Sequence, residues 1–525
     1  MLKKFNVTGQ CVPCEDYMVD ISGKIAQIKE LIDAGSYFTI NRGRQYGKTT
    51  TLYELNRRLS NEYLMVQISF EGLGDESFAS PEEFCPTLVE QIVRALRNPS
   101  RTTAVEQEYI EKWENHKVVD FKSLSRHITE MCADKKIVLM IDEVDRTSHN
   151  RVFLNFIGML REKFLSRKNG GEPTFHSVIL AGVYDIKNIK LKLINEGMYT
   201  PSPIENKIYN SPWNIAVNFD VDMSFSPDDI ATMLADYEAD HKTGMNIAEI
   251  SEEIYSYTSG YPFLVSRICQ YIDLDLGKGW SLEAIAEAAD MLLYEANTLF
   301  DDMFKNIRNY PELNDFIYEL MLIGEEKTFN ADQIAVNIGT MFGYFKNVGK
   351  KVKIANKIFE TRIYNYYTDN LKIQRPLRGA MRYDVVKNSS FDMEYCMRKF
   401  SDFYQEIYNE HDLKFIERHG RLLFLSYLRP LINGDGFYHV ESALLDQRRM
   451  DIVVDYGREQ FIIELKIWRG EQYERDAYEQ LAGYLEKKNA DVGYLLTFDF
   501  RKESNKRGNA EWIEVGGKRL FEVIV

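Results

Sequence analysis

The sequence predicts an α/β protein in which a doubly wound parallel sheet is followed by helical modules and then by a second, smaller α/β domain. Three observations predict this fold. Between residues 37 and 219, short apolar runs alternate with helical patterns, as in a parallel sheet covered by helices on both faces. From residue 226 the pattern is helical. Beyond residue 391 it changes again, to apolar runs of strand length separated by a turn and a helix.

The composition is that of a folded chain with several domains. Its 525 residues predict roughly two to four domains. Hydrophobic residues make up 45% and charged residues 28%, which excludes a disordered chain. A formal net charge of -15 argues against a protein that only coats nucleic acid or an anionic membrane. Apolar runs stay well below the ~20 residues that span a bilayer, so we expect a cytoplasmic location and no membrane partner.

The six cysteines do not indicate a metal site. Only Cys11 and Cys14 form a Cys-x-x-Cys pair, and no second pair or histidine follows at ligand spacing. Structural zinc is held by four such ligands. We therefore expect reduced thiols.

The first motif is a loop between a strand and a helix. The apolar run 37–40 enters residues 41–50, whose sequence is NRGRQYGKTT. A strand, a tight turn, Gly-Lys-Thr and a helix form the layout of a phosphate-binding loop. Gly47 lets the backbone approach phosphate oxygens, Lys48 would reach the outer phosphates of ATP, and Thr49 would place its hydroxyl on Mg²⁺.

This loop departs from the usual pattern at one position. The glycine expected five places before the Gly-Lys pair is Arg42 here, and Gly43 follows one place later. A chance Gly-Lys-Thr in an ordinary turn is therefore the alternative. If the loop binds a nucleotide, its further contacts are Gly43, Arg44 and Thr50.

A second motif supports a nucleotide site. The apolar run 137–141 predicts a buried parallel strand, and it ends in Asp142 and Glu143. Ligands bind at the carboxyl ends of such strands, where Asp142 can hold the water shell of magnesium and Glu143 can polarise an attacking water. The alternative is a buried strand that merely ends in two charged residues. A further strand, 63–70, lies between the two motifs and favours the subclass of nucleotide hydrolases in which the motif strands are not sheet neighbours.

Two more strands and a helical region complete the first half. We predict strands at 176–183 and 214–219, with a γ-phosphate sensor near Tyr184 and Asp185. In the helical region, Pro262 either lies against the adenine or simply begins a helix. Arg267, on that helix, either approaches the phosphates or lies at the surface. Residues 301–372 have the size of a winged-helix-like module, with helices predicted at 334–342 and 352–367.

The last part of the chain contains a second constellation. Residues 371–390 are polar and predict a linker; helices are predicted at 393–408 and 422–428. Strands at 449–456 and 460–468 place Asp451 opposite Glu464, and Glu464 and Lys466 on one face, because strand side chains alternate. Two carboxylates can hold Mg²⁺ and the lysine can bind a phosphate or activate a water. The alternative is an exposed hairpin with a salt bridge.

Downstream, Gln480 and Tyr484 share a helix face, and a strand at 492–498 completes the predicted unit. Asp451, Glu464-Leu465-Lys466 and Gln480 together resemble the PD-(D/E)xK nuclease superfamily. The first half, through residues 41–49 and 352–360, resembles bacterial AAA-like ATPases that carry such a nuclease-like domain. In that family the first loop glycine is often replaced, as at Arg42.

The resemblance implies specific roles for these residues. Lys48 and Thr49 would bind phosphates and magnesium, and Asp142 and Glu143 would handle metal and water. The nuclease centre would consist of Asp451, Glu464 and Lys466, with Gln480 in support. The superfamily adds an acid from its first helix, for which Glu417 and Glu441 both stay open. The implied domains are a P-loop ATPase core (1–220), a helical lid (221–300), the winged-helix-like module (301–372), a linker (373–390) and the nuclease-like domain (391–525).

We therefore predict an ATP- and magnesium-dependent enzyme whose nucleotide state gates a nuclease, with DNA as the first nucleic acid to test. One alternative is a regulatory ATPase whose C-terminal domain binds nucleic acid without cutting it. Another is an interaction protein that keeps nucleotide as a structural ligand. A homo-oligomer stays open, since Arg42, Arg44 and Arg146 could act in trans on a neighbouring site or simply be solvated.

Overall fold

The computed structural model describes residues 3–97, 104–115, 117–144, 151–183, 213–323, 327–370, 385–387, 390–407, 436–442, 450–457, 459–468, 470–499, 501 and 508–525, with isolated positions between 420 and 432. The chain divides into two compact units, residues 1–285 with 338–344 and residues 286–337 with 345–525. No helix in the described ranges has both the length and the apolar character needed to span a bilayer.

The first part of the chain alternates helices and strands and then becomes helical, as predicted. Its elements are, in chain order, α1 (Ser22–Asp33), β1 (Tyr37–Asn41), α2 (Lys48–Leu59), β2 (Leu64–Ser69), α3 (Pro81–Leu96), α4 (Ala104–Asn115), α5 (Phe121–Met131), β3 (Ile137–Asp142), α6 (Arg151–Lys168), β4 (Ser177–Gly182), α7 (Pro227–His241), α8 (Ile247–Thr258) and α9 (Pro262–Leu274).

A four-stranded parallel sheet lies at the centre of this unit. Its strand order is β1-β4-β3-β2. The strand β4 therefore separates β1, which enters the loop, from β3, which ends at Asp142. The prediction that the two motif strands are not sheet neighbours is confirmed. All six residues of β3 are buried, and the last residues of β1 and β3 lie at the same carboxyl edge of the sheet, where open α/β sheets bind ligands.

The predicted strand at 214–219 is wrong. Residues 213–215 form a turn, and the segment pairs with β1 through a single bridge between Val217 and Phe38. The physical reason is the side chain of Trp213, which is buried under the sheet and donates its indole N–H to Thr39 Oγ1 at 3.0 Å. This anchor turns the chain before a ladder of backbone hydrogen bonds can form.

The rest of the chain contains further helices, a hairpin and a second sheet. Its elements are α10 (Leu282–Tyr294), α11 (Thr298–Asn309), α12 (Pro311–Tyr318), α13 (Ile334–Met341), β5 (Phe345–Val348), β6 (Lys351–Ile354), α14 (Lys357–Asn370), β7 (Val386–Lys387), β8 (Ser390–Phe391), α15 (Met393–Ile407), β9 (Gly436–Ser442), β10 (Met450–Tyr456), β11 (Glu459–Ile467), α16 (Glu471–Lys487), β12 (Val492–Phe498), β13 (Ala510–Val515) and β14 (Lys518–Ile524).

The helix predicted at 352–367 begins too early. Gly349 and Lys350 both have positive φ and form a turn between β5 and β6, so residues 351–354 are strand and the helix begins at Lys357. The sequence carried the signal, because Val352 and Ile354 are buried with the period of two that a strand requires.

The second sheet is larger than predicted. It has six strands in the order β13-β14-β12-β11-β10-β9, so β12 does not complete it. The hairpin β13–β14 adds to β12 on one side, and β9 adds to β10 on the other. One face packs against α16 through Val453, Ile462, Leu481, Leu485 and Leu495. Most of the predicted linker and of the predicted helix 422–428 lies outside the described residues.

All six cysteines carry free thiols, as predicted. Burial raises the pKa of Cys85 and of Cys132 to about 12, and it also raises the pKa of Cys11. Cys269 and Cys396 are fully buried, whereas Cys14 is exposed.

Thiol titration of the native protein at pH 8 should therefore show one fast group, Cys14, and five slow ones, because the thiolate is the reactive form. Unfolding in denaturant should expose all six. The fast phase should vanish in Cys14→Ser. A fast phase of two thiols, or none in the wild type, would contradict this assignment.

Candidate functional site

The phosphate-loop motif forms a turn between β1 and α2. Gly47 precedes the first residue of α2 and has φ 76°, and Gln45 also has a positive φ of 54°. Such a φ favours glycine, so the sequence places Gly47 where the backbone must turn back toward the helix. The N-terminus of α2 thereby follows the loop directly, the arrangement in which helix N-termini bind anions.

Lys48 is folded over this loop. Its ammonium Nζ donates to the carbonyl oxygen of Arg42 at 3.0 Å and to that of Gly43 at 2.9 Å. Only 7% of the residue is exposed. The side chain is thus held across the loop by two backbone carbonyls.

The two motifs meet through a hydrogen bond across the sheet edge. The Thr49 hydroxyl donates to Asp142 Oδ2 at 2.7 Å, and the other oxygen, Oδ1, accepts the backbone N–H of Glu143 at 2.9 Å. Glu143 has φ 54°, so the chain turns sharply directly after β3. A hydroxyl and a carboxylate oxygen at this separation are ligands of the kind that Mg²⁺ accepts, and the site therefore fits the implied ion.

A cavity of about 130 Å³ lies beside the loop. Its wall includes Gly47, Thr50 and Pro262, and the N-terminal segment from Asn6 to Val19 contributes the other side. The backbone N–H of Cys11 donates to Thr50 Oγ1 at 3.2 Å, which ties that segment to α2. Pro262 is the first residue of α9 and also lines the cavity, so the two interpretations of its position are compatible.

The N-terminal segment and a distant aromatic cluster are the parts of this site that the sequence analysis missed. The rings of Tyr46 and Tyr261 meet edge to face at 4.6 Å, and the Tyr261 hydroxyl donates to the carbonyl of Arg44. Gly343 lies against both rings. A methyl group built on Gly43 would stand 2.5 Å from the carbonyl oxygen of Phe342. No spacing in the sequence connects residues 342–343 with the loop.

The close approach of Phe342 to Gly43 predicts that alanine substitution destabilises the protein at Gly43 but not at Gly23. Gly43→Ala should lower the free energy of unfolding by about 1–3 kcal/mol, because the loop and the 338–344 segment must separate to admit a Cβ. Gly23→Ala in α1 is the matched control; its site is open, and alanine should stabilise the helix by about 0.5–1 kcal/mol. Chemical denaturation measures both. Equal effects of the two substitutions would contradict the packing described here.

The predicted arginines take different positions. The Arg42 guanidinium donates to the carbonyl oxygens of Asn41 at 2.8 Å and Val221 at 2.9 Å, and burial lowers its pKa. Arg42 thus stabilises its own loop, and a guanidinium held in this way does not fit a role in trans on a neighbouring site. Arg267 stacks on Tyr271 at 4.3 Å within α9. Arg146, Tyr184 and Asp185 lie outside the described residues.

The second constellation is centred on a buried ion pair. Lys466 Nζ lies 2.9 Å from Glu464 Oε1, and the two residues are 4% and 2% exposed. They share the face of β11 that packs on α16, since Ile462 of the same parity contacts that helix. Burying two charges is costly unless they are paired, and a surface hairpin would leave them in water. The alternative of an exposed hairpin is therefore wrong.

Strand register adds the acids. Asp451 of β10 is paired directly with Glu464, and Glu441 of β9 is paired directly with Asp451. Paired residues share a sheet face, so the backbone places these three acids in one row. Of the two acids left open, Glu441 lies in this row on a strand instead of a helix, and Glu417 lies outside the described residues.

The helix α16 presents polar side chains to the same face. The Lys466 ammonium lies 5.9 Å from the Tyr473 ring centroid. Gln480 is half-buried on this helix. The hydroxyls of Tyr478 and Thr497 both donate to the carboxylate of Glu522, which is buried. Burial and this hydrogen bond raise the pKa of Tyr478. The sequence analysis missed Glu522 because it did not predict β14.

With this geometry established, comparison with known proteins defines the family. Residues 16–367, more than half of the chain, match the family model of the AAA-like domain. The chain belongs to this family. Behind its AAA-like domain, residues 437–508 match the PD-(D/E)XK nuclease superfamily. The AAA-like domain is P-loop ATPase-like, and the nuclease superfamily match covers strands β9 to β12 of the six-stranded sheet. No curated protein matches the chain.

Solved structures similar to this AAA-like protein include an ATPase, an ORC2 protein and a branch-migration motor. The Walker-type ATPase of Pyrococcus abyssi is 13% identical, with 68% of this chain and 99% of that chain covered and a TM-score of 0.45. The ORC2 protein of Aeropyrum pernix is 10% identical, with coverages of 69% and 98% and a TM-score of 0.35. The RuvB branch-migration motor of Thermotoga maritima is 11% identical, with coverages of 65% and 94% and a TM-score of 0.31.

Proposed function

We propose that this protein binds and hydrolyses ATP and that its nucleotide state gates a C-terminal, magnesium-dependent nuclease. The observation that carries the nuclease is the buried Glu464–Lys466 pair in register with Asp451. Nothing in the packing of a small sheet requires an acid and a lysine at this position, and their burial is costly. Phosphodiester hydrolysis uses this set of groups.

In the ATPase half, each loop residue has a distinct role. Gly43, Arg44, Gly47 and Thr50 would surround the phosphates with backbone N–H groups, and Lys48 would exchange its two carbonyl acceptors for outer phosphate oxygens. Pro262 would lie against the base in the cavity beside the loop.

Glu143 is the residue that would act on water in this half. Its carboxylate follows β3 directly, at the same sheet edge as Thr49 and Asp142. From there it would hold and orient a water opposite the bond to be broken, and accept its proton. Hydrolysis of ATP is then separable from ATP binding, because Lys48 binds and Glu143 does not.

Magnesium would be held by Thr49 and Asp142 in the first site and by Asp451 and Glu464 in the second, where it would supply charge neutralisation of the phosphate oxygens. In the nuclease half, Lys466 would orient a phosphate oxygen and favour the deprotonated form of the attacking water. Gln480 would support the position of that water. Glu441 would add a third carboxylate from β9.

The gating proposal rests on the contact between the phosphate loop and residues 338–344. Gly43 abuts the carbonyl of Phe342, and Gly343 abuts Tyr46 and Tyr261. This segment continues by chain into α13 on one side and β5 on the other. In this proposal, phosphates that enter the loop would displace residues 338–344 and, through the chain, the ends of those two elements.

The gate is tested by measuring cleavage of single- and double-stranded DNA and RNA with ATP, with ADP and without nucleotide. We expect the rates with ATP and ADP to differ by about tenfold or more, which corresponds to a coupling within the usual range. Glu143→Gln should bind ATP without hydrolysing it, so with ATP its cleavage rate should stay at the value of the ATP-bound state throughout the assay. Equal rates in all three conditions would contradict gating; ATP turnover with no cleavage of any substrate would favour a regulatory ATPase with a binding domain.

A further inference from the structure

A second feature lies on the same face of β11 as the nuclease centre. Trp468 follows the strand, and its backbone N–H still donates to the carbonyl of Phe498 at 2.9 Å, so pairing with β12 continues to this point. Residues two apart on a strand share a face, which places Glu464, Lys466 and Trp468 in one line. Trp468 thus lies roughly 7 Å along the strand from Lys466.

Arg501 stacks on this tryptophan. Its guanidinium carbon is 3.3 Å from the indole ring centroid. Arg501 Nη2 donates to Asp499 Oδ2 at 2.6 Å and Nε donates to Asp499 Oδ1 at 2.9 Å, so the plane of the guanidinium is fixed from one edge. Asp499 is itself buried at the end of β12, and its backbone N–H donates to the carbonyl of Val525.

Two properties of this stack point to a ligand. The Arg501 side chain remains 41% exposed although the Trp468 ring and the Asp499 carboxylate both hold it in place. The indole N–H of Trp468 is buried and has no acceptor among the residues that the structure describes. The end of a strand does not require a fixed, exposed guanidinium plane, so a ligand that stacks on it would explain the arrangement.

We propose that Trp468 and Arg501 form a stacking platform for an unpaired base of the nucleic acid, one nucleotide away from the phosphate at Lys466. Bases in single strands stack on aromatic rings and on guanidinium planes, and every base has such a face. A base inside a continuous duplex has both faces covered by its neighbours. The proposal rests on the proposed nuclease and narrows its substrate to single strands or to unpaired ends and junctions.

The sheet contains a matched control. Arg519 stacks on Trp512 at 4.5 Å. Trp512 is paired with Phe521, which alternates with the inward Leu520 and Glu522, so this second stack lies on the opposite face of the sheet. It has the same chemistry without the neighbouring Lys466.

Binding of fluorescent single-stranded and double-stranded oligonucleotides is measured by anisotropy with the full chain carrying Glu464→Gln, which prevents cleavage. Adding Arg501→Ala or Trp468→Leu should weaken single-strand binding by about tenfold or more and change duplex binding little. Adding Arg519→Ala should change neither. Arg501→Lys retains the charge and a partner for Asp499 but loses the plane, so it should behave like Arg501→Ala.

Wild-type affinity in Arg501→Lys would overturn the platform and leave only an electrostatic contact, and so would equal losses for duplex and single strand. These outcomes do not depend on cleavage. Loss of single-strand binding in Arg501→Lys together with a wild type that cuts nothing would retain the platform and refute the nuclease. Cleavage by the wild type together with unchanged single-strand binding in Arg501→Lys would retain the nuclease and refute the platform.

Discussion

Replacing Lys48 by alanine will reduce ATP turnover at least about 100-fold, because the substitution removes the charge-assisted donor that we propose for the outer phosphates. Its Nζ already lies between two loop carbonyls, 2.9 and 3.0 Å away, and the residue is 7% exposed. The side chain is thus positioned before any nucleotide arrives. Steady-state phosphate release and nucleotide binding measure the effect.

Lys29→Ala is the control for Lys48→Ala. Lys29 is in α1, in the same unit, and pairs at the surface with Asp33 and Glu62. Surface pairs contribute little, so its turnover should stay within about twofold of wild type. Lys48→Met keeps the aliphatic stem and should be as inactive as Lys48→Ala. Turnover near the wild-type rate in a folded Lys48→Met protein would refute the assignment of this loop.

Replacing Glu464 by glutamine will reduce nucleic-acid cleavage at least about 1000-fold, because a neutral amide would not hold the divalent ion that we propose at this carboxylate. ATP turnover should persist, since Glu464 belongs to the other constellation. Cleavage of labelled oligonucleotides with magnesium, over a range of enzyme concentrations, measures the loss. Glu479→Gln, an exposed acid on α16, is the control and should cut like wild type.

The same substitution separates a catalytic role from a structural one. Glu464→Gln leaves the buried Lys466 ammonium without its carboxylate and should cost about 3–5 kcal/mol of stability. Adding Lys466→Met removes that charge and should restore much of the loss. A purely structural pair would recover cleavage in this double variant, whereas a catalytic pair would not. Recovered cleavage would therefore refute the nuclease centre proposed here.

Local sequence patterns were sufficient to predict a feature wherever the residues of one segment determine its conformation. The turn at Gly47, the buried strand ending at Asp142 and the strand alternation of Glu464 and Lys466 were all predicted from spacing. Each depends on a backbone period or on a conformation that a single residue type permits. The separation of β1 from β3 by β4 was also predictable, because the intervening strand 63–70 indicated the subclass.

Predictions failed where a distant side chain or a paired strand decided the structure. The strand at 214–219 was lost because Trp213 inserts under the sheet and donates to Thr39. The hairpin β5–β6 was missed because the alternation of Val352 and Ile354 covers only two buried positions, too few to overcome a helical pattern beside it. The carboxylate of Glu522 was missed together with its strand.

The sequence by itself determined which chemical groups are available: a lysine and a hydroxyl behind a glycine turn, two acids after a buried strand, and an acid and a lysine two residues apart on another strand. Such information is local, and a few residues suffice to encode it. Only the tertiary structure decided what these groups meet. It brought Thr49 to Asp142, placed Glu441 in the row of Asp451 and Glu464, and set Phe342 against Gly43. Such contacts depend on packing and strand register, and neither leaves a spacing in the sequence.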